Sequence, residues 1–235
     1  MSWLHRVLGR DGATQLSVDP TYTAARVSVR PVEIGALGSY RLSLQTGTLA
    51  AALAASAVVF SCRWSDASRF ALVTTFRARF LPLTLFTAAT LTDHTSFDAF
   101  IGRSFTAAHT GGTGLTLTGN SFKMRASMGS TLFNDIRLAT TAALGGGTVT
   151  LDPHPFAQSL RRGNRVNPAA ATEEVIQPTV DNLAVDFNVG DGEHPLILSQ
   201  NEGIVLRNRT VWPAAGTGIA LVEMAWSEVN TYSSS

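Results

Sequence analysis

Residues 201–229 read NEGIVLRNRTVWPAAGTGIALVEMAWSEV, and the way this stretch folds decides the class of the whole chain. From Ala220 onward Ala220, Val222, Met224 and Trp226 share one face of an extended backbone, while Glu223, Ala225 and Ser227 share the other. Successive side chains of a strand point to opposite sides, so this alternation describes a half-buried strand with a large aromatic turned inward. Ahead of it, Trp212-Pro213-Ala214-Ala215-Gly216-Thr217-Gly218 supplies turn residues, because proline pre-sets φ and glycine tolerates positive φ. The expected arrangement is a terminal β-hairpin, with Trp226 in the core.

Working outward, the same period of two recurs. Ala25, Val27 and Val29 alternate with Arg26, Ser28 and Arg30 up to Pro31, and Tyr40, Leu42 and Leu44 alternate with Arg41, Ser43 and Gln45 after a glycine turn. Half-exposed strands of this kind belong to antiparallel sheets with one wet face. Residues 58–64 and 70–80 follow as strands. In the second, Phe70, Leu72, Thr74, Phe76, Ala78 and Phe80 fall on one face, and Arg77 and Arg79 on the other. The alanine-rich residues 48–55 fit one or two helical turns or an irregular crossing between sheets. Residues 97–107, FDAFIGRSFTA, fit either period; strand is preferred because Gly102 and the Ser/Thr neighbours weaken a helix. Residues 83–91 continue the sheet after Pro82. Short strands are expected at 115–118, 136–138, 148–151, 183–187 and 196–198.

Many short strands and no long helical period predict an all-β protein: a two-sheet antiparallel sandwich, jelly-roll-like, with an N-terminal arm and one long irregular loop. The arm is residues 1–12, where Trp3, Leu4, Val7 and Leu8 have helical spacing over too few turns to stand alone. Residues 13–235 form a single domain. Within it, residues 153–178 carry little pattern, which in a compact domain marks a functional or partner-ordered loop. Trp3 and Leu4 in the arm, and Arg161, Arg162 and Arg165 in the loop, are therefore the candidate partner-interface residues.

Composition narrows the function classes. In 235 residues, 45% are apolar and only 15% charged, well below the usual quarter, so much of the surface is expected to be covered by partners. A net charge of +1 offers no electrostatic footprint for nucleic acid. Lys123 is the sole lysine; coding bias accounts for part of that, and arginine is also the cation enriched at interfaces. Cys62 is the only cysteine and lies in an apolar run, where it reads as a small buried hydrophobe rather than a nucleophile. The longest apolar run, residues 49–60, falls short of the ~20 residues that span a bilayer. No signal-peptide pattern opens the chain, so folding in a reducing cytosol is expected.

Chemistry-bearing motifs are sparse. There is no nucleophile elbow, P-loop, dinucleotide fingerprint, zinc-protease helix or paired C-x-x-C. Asp93-His94, Asp152-x-His154 and Glu193-His194 each set an acid beside an imidazole, as a base with its orienting carboxylate would, but all lie in polar loop-like sequence. Asp186, Asn188, Asp191 and Glu193 resemble part of a calcium loop whose glycine and closing glutamate are displaced, so a hairpin turn is the simpler reading. Glu202, Glu223 and Glu228 are the carboxylates that a glycan-cleaving enzyme would draw on, yet Glu223 and Glu228 fall on opposite faces of one strand. Asn208-Arg209-Thr210 matches a glycosylation sequon, which means little without a secretory signal.

Three blocks carry a resemblance: TGGTGLTLTGNSFKMRASMGSTLFNDIRLATTAALGGGTVTLD at 110–152, RVSVRPVEIGALGSYRLSLQTGTLAA at 26–51, and residues 201–229. In strand-and-turn pattern they resemble virion structural proteins of tailed bacteriophages. The resemblance implies a structural role, with no active-site residue to carry over and no cofactor. The expected function is a non-enzymatic capsid decoration or cement protein. Its expected partners are copies of itself in a trimer or ring and the major capsid or another virion protein, with no nucleic acid or membrane. It would be assembled in the host cytoplasm and located in the virion. Alternatives are a tail, neck or fibre component whose exposed Tyr22, Trp212 or Tyr232 stacks on a glycan or receptor, and a polysaccharide-acting enzyme.

Overall fold

The computed structural model describes residues 37–84, 86–87, 96–119, 122–159, 165–167, 172–174, 183–187 and 194–230. The chain divides into units Met1–Glu33 and Ile34–Ser235, and every described residue lies in the second. The arm at residues 1–12 and the expected strand at 25–29 lie outside the described residues.

Among the described residues there is no α-helix, and the sandwich expected from the sequence is present. One sheet is five-stranded, in the order β1 (Gly38–Gln45), β15 (Thr217–Val229), β3 (Phe70–Thr84), β12 (Leu183–Asp186), with β13 (Leu196–Leu198) also on β3. The other is seven-stranded: β6 (Thr113–Leu115), β7 (Asp135–Leu138), β2 (Val58–Arg63), β14 (Gly203–Asn208), β5 (Phe97–Ala107), β8 (Thr148–Leu151), with β9 (Ala157–Gln158) also on β5. A small third sheet joins β11 (Thr172–Glu174), β10 (Arg165–Asn167) and β4 (Phe86–Thr87). Pairing is antiparallel except between β10 and β4.

The strand order is that of a jelly roll. Let β8 and β9 share one position and β12 and β13 another. The chain then visits β1, β2, β3, β5, β8/β9, β12/β13, β14 and β15, and the sheets read 1-8-3-6 and 2-7-4-5. Successive strands therefore sit in opposite sheets at both ends of the chain. β6 and β7 extend the second sheet beyond β2.

This topology corrects the terminal hairpin. β14 pairs with β2 and β5, and β15 pairs with β1 and β3, so residues 209–216 cross from one sheet to the other. Proline and glycine serve a crossing as well as a tight turn, which is why the local signal is the same. Trp212 lies in the crossing and is buried edge-on against Phe80 and Phe86. Residues 46–57 make the reciprocal crossing at the start of the sandwich and are irregular rather than helical. Their course is held by bonds from Gly47 N–H to Ala139 C=O (3.1 Å) and Ala52 N–H to Pro213 C=O (2.8 Å), with Ala52 (φ 58°) and Ser56 (φ 60°) left-handed.

The core forms where the alternating faces meet. Ala220, Val222, Met224 and Trp226 are all buried, as expected. Aromatic rings interdigitate across the sandwich: Phe76 meets Phe60 at 5.9 Å between centroids, Phe80 meets Phe97 at 5.6 Å, and Trp226 is stacked on Tyr40 and edge-on to Phe133, both at 5.4 Å. Each buried aromatic of this size removes apolar area worth roughly 1.5–3 kcal/mol from water. One face assignment changes. Ala225 pairs with Thr75 and Trp226 with Val73, leaving Thr74 as an extra residue in β3. One inserted residue flips everything before it, so Ala71 and Val73, rather than Phe70 and Thr74, join Phe76, Ala78 and Phe80 in the core, while Leu72 is buried outside this cluster.

Candidate interaction surface

Of the candidate interface residues, Trp3, Leu4, Arg161 and Arg162 lie outside the described residues. Arg165 is in β10, opposite Glu174 on one side and Phe86 on the other. The span 153–178 is thus partly strand, because its short runs pair with distant segments that local pattern does not reveal. Tyr22 and Tyr232 lie outside the described residues, and Trp212 is buried, so it presents no face to a sugar.

Of the acid–imidazole pairs only Asp152-x-His154 lies wholly within the described residues, and its acid is engaged elsewhere. The guanidinium of Arg103 takes both carboxylate oxygens of Asp152 (2.9–3.1 Å), and Arg103 Nη1 also donates to Glu202 (3.3 Å). His194 Nδ1 is 3.1 Å from the Pro195 carbonyl; His94 and Glu193 lie outside the described residues. Asp186 is held by Arg77 through Nε (3.2 Å) and Nη2 (2.5 Å), which lowers its pKa and makes it part of a strand-to-strand ion pair; Asn188, Asp191 and Glu193 of the calcium-like stretch lie outside the described residues. Among the described residues, no cluster of three metal-ligating side chains occurs. Asn208 of the sequon is buried, its amide donating to Ala54 and Thr210 carbonyls at 2.8 Å each. Cys62 is buried as expected, and burial pushes its thiol up to about 12.

Two broad outer faces carry the accessible chemistry. On the five-stranded sheet, strand register sets Arg41, Ala225, Thr75 and Asp186 in one row and Ser43, Glu223, Arg77 and Ala184 in the next. These positions point away from the core by parity with Tyr40, Met224 and Phe76. Glu223 is 3.9 Å from both Arg41 and Arg77, so charges alternate in sign across the sheet. Further along the same face, Leu81 and Leu83 are each 49% exposed. A sequence shows each of these residues as an outward position, but only the register shows which of them meet.

The outer face of the seven-stranded sheet is more closed. Gly203 and Gly102 are direct partners; a Cβ on Gly102 would collide with the Phe105 ring, and one on Gly203 with the Cys62 carbonyl, with the same ring 3.0 Å away. Phe105 in turn meets His109 edge-on, and His109 Nδ1 lies 2.9 Å from Ser61 Oγ. Burial lowers the pKa of His109. Nearby, the Arg207 guanidinium lies 4.2 Å from the Phe100 ring centroid, and Arg209 clamps Asp98 with Nη2 at 2.6 Å and Nε at 3.0 Å. At the β6 end, a polar trough of about 240 Å³ runs between Gly114–Thr116 and Asn134–Arg137. Its one carboxylate, Asp135, faces Arg63 at 3.4 Å.

At one end of the sandwich, Glu228 is buried and has no salt bridge among the described residues. Its Oε1 accepts from Thr131 Oγ1 (2.5 Å), Leu132 N–H (3.0 Å) and Trp226 Nε1 (3.3 Å). Desolvation raises its pKa despite these bonds. Tyr40 Oη donates to the Gly129 carbonyl at 3.1 Å, so the segment before β7 is tied to β1 and β15 together. Comparison with protein-family models, with curated proteins and with solved structures returns no match for this chain.

Proposed function

We propose that this chain is a non-enzymatic structural protein of a tailed-phage virion, a decoration or cement protein that stabilises the shell by contacting copies of itself and the major capsid protein. The observation that carries this reading is the closed jelly roll: rings from both sheets fill the space between them, leaving the broad outer faces as the place where chemistry can be met. The acids that a hydrolase would use point the same way. Asp98, Asp152 and Asp186 are clamped by arginines, and Glu228 is buried under three donors. A pair of free carboxylates flanking a sugar bond is the requirement such a reaction imposes, and these carboxylates are already held by donors.

The test is binding to shells. Purified protein is mixed with undecorated phage shells and the mixture is separated by size with light scattering. The expected result is co-elution at a fixed ratio, together with a raised melting temperature of the shell. Protein that leaves shells unbound, or that labels a single vertex in electron micrographs, would overturn the reading, the latter in favour of a tail or neck position.

A further inference from the structure

We propose that the outer face of the five-stranded sheet is a two-fold interface with a second copy of this chain. The proposal gives atomic form to the self-association above and rests on that reading only for its place in a virion.

The argument is the symmetry of the charge rows. The strand order across this sheet is β1, β15, β3, β12. A two-fold axis running along the strands, between β15 and β3 and in the plane of contact, turns a second sheet face to face and reverses this order. β1 then lies over β12 of the partner and β15 over its β3. Height along the strands is unchanged, so each row meets itself reversed. In the first row Arg41 meets the partner's Asp186 and Ala225 meets the partner's Thr75. In the second Glu223 meets the partner's Arg77 and Ser43 meets the partner's Ala184. Every charge in the two rows faces its opposite, and between them stand only small side chains, which lets two sheets approach to the usual ~10 Å spacing.

A face with random charge placement has no such property; here one operator satisfies both rows at once. Isologous contacts require this self-complementarity. The end positions are also the most exposed of the four charges: Arg41 is 55% and Asp186 48% exposed at the side chain, against 32% for Arg77 and 24% for Glu223. The same operator brings Leu81, exposed at the end of β3, over the β15 end of the partner at the height of Ile219, which is buried within its own chain. Between the charged rows and Leu81 the operator lays Leu221 against the stem of the partner's Arg79, so apolar contact borders the matched polar rows.

Charge reversal tests the pairing in trans. Arg41→Glu sets a carboxylate over the partner's Asp186, and Asp186→Arg sets a guanidinium over the partner's Arg41, twice in each homodimer. Each variant alone is expected to dimerise about tenfold or more weakly than the native chain in sedimentation equilibrium. Mixed together, the two variants form a heterodimer with two attractive contacts. In one, the introduced glutamate faces the introduced arginine; in the other, native Asp186 faces native Arg41. The mixture is therefore expected to regain dimer that neither variant shows alone. Arg41 and Asp186 lie on strands separated by β15 and β3, so pairing within one chain cannot produce that recovery. Leu81→Arg, at an exposed site, checks the apolar end and should weaken the dimer while leaving the melting temperature of the monomer in place.

A native chain that stays monomeric at every concentration tested, because another segment or solvent occupies the face, overturns the proposal. So does a mixture that associates no better than its components. Shell binding by a monomer would sink this interface and leave the virion reading standing; a two-fold dimer that ignores shells would do the reverse.

Discussion

The indole N–H of Trp226 donates to Oε1 of Glu228, two residues further along β15, at 3.3 Å. Parity puts both side chains on the inner face. The largest ring of the last strand and its only buried carboxylate are thereby joined, and the carboxylate also holds Thr131 and Leu132 of the segment before β7.

Glu228→Gln is expected to keep the three acceptor bonds and remove the buried charge. The folded-state pKa of Glu228 is raised by desolvation, so the folded protein binds its proton more tightly than the unfolded chain does. That contribution to stability is fully present below the ordinary glutamate value of about 4.3 and is lost as pH rises through the raised value. Denaturant titrations of the native chain and Glu228→Gln from pH 4 to 8 should therefore converge in acid, with the variant equal or more stable at neutral pH. Glu228→Ala, which strands three buried donors, should cost about 2–4 kcal/mol at any pH.

His109 acts in the opposite direction. Burial lowers its pKa, so the unfolded chain takes up the proton first, and stability falls as pH drops below about 6.5 toward the lowered value. His109→Gln should flatten this acid loss in the same titrations. A native His109 resonance that titrates above 6.5 in NMR would contradict the assignment.

Trp212 and Trp226 should respond differently to truncation. Both are buried, but Trp226 Nε1 has an acceptor, while Trp212 Nε1 finds none among the described residues. Removing an unpartnered buried donor recovers desolvation energy. Trp212→Phe is therefore expected to cost less than Trp226→Phe, by about 1 kcal/mol, measured by chemical denaturation.

Ala52 carries left-handed backbone at φ 58° while donating to the Pro213 carbonyl. The Cβ clash of that conformation costs roughly 1–2 kcal/mol, and glycine offsets part of the gain through the unfolded state. Ala52→Gly should raise stability by about 0.5–1 kcal/mol, and a lower melting temperature would show the strain to be absent.

Much of this fold is legible in the sequence. Val222, Met224 and Trp226 announce a core face through alternation alone, and FDAFIGRSFTA reads as a strand from its glycine and β-favouring neighbours, which it is. The bulge at Thr74 is not legible: an inserted residue leaves the local pattern intact, and only the partner strand shows that the register has slipped. The trans-sheet crossing at residues 209–216 escapes for a similar reason, since Pro213 and Gly216 suit a hairpin and a crossing alike. Nor can spacing show that Arg77 binds Asp186, 109 residues away.

What the sequence determined by itself was the period of each segment and the side of it that avoids water, because these follow from the geometry of a single strand and the transfer of its side chains. What the tertiary structure decided was partnership: which sheet each strand joins, which carboxylate meets which guanidinium, and that Arg41 and Asp186 end the same row. Those depend on loop closure and register between segments far apart in the chain, where the free energy is that of pairs and is not written in either segment alone.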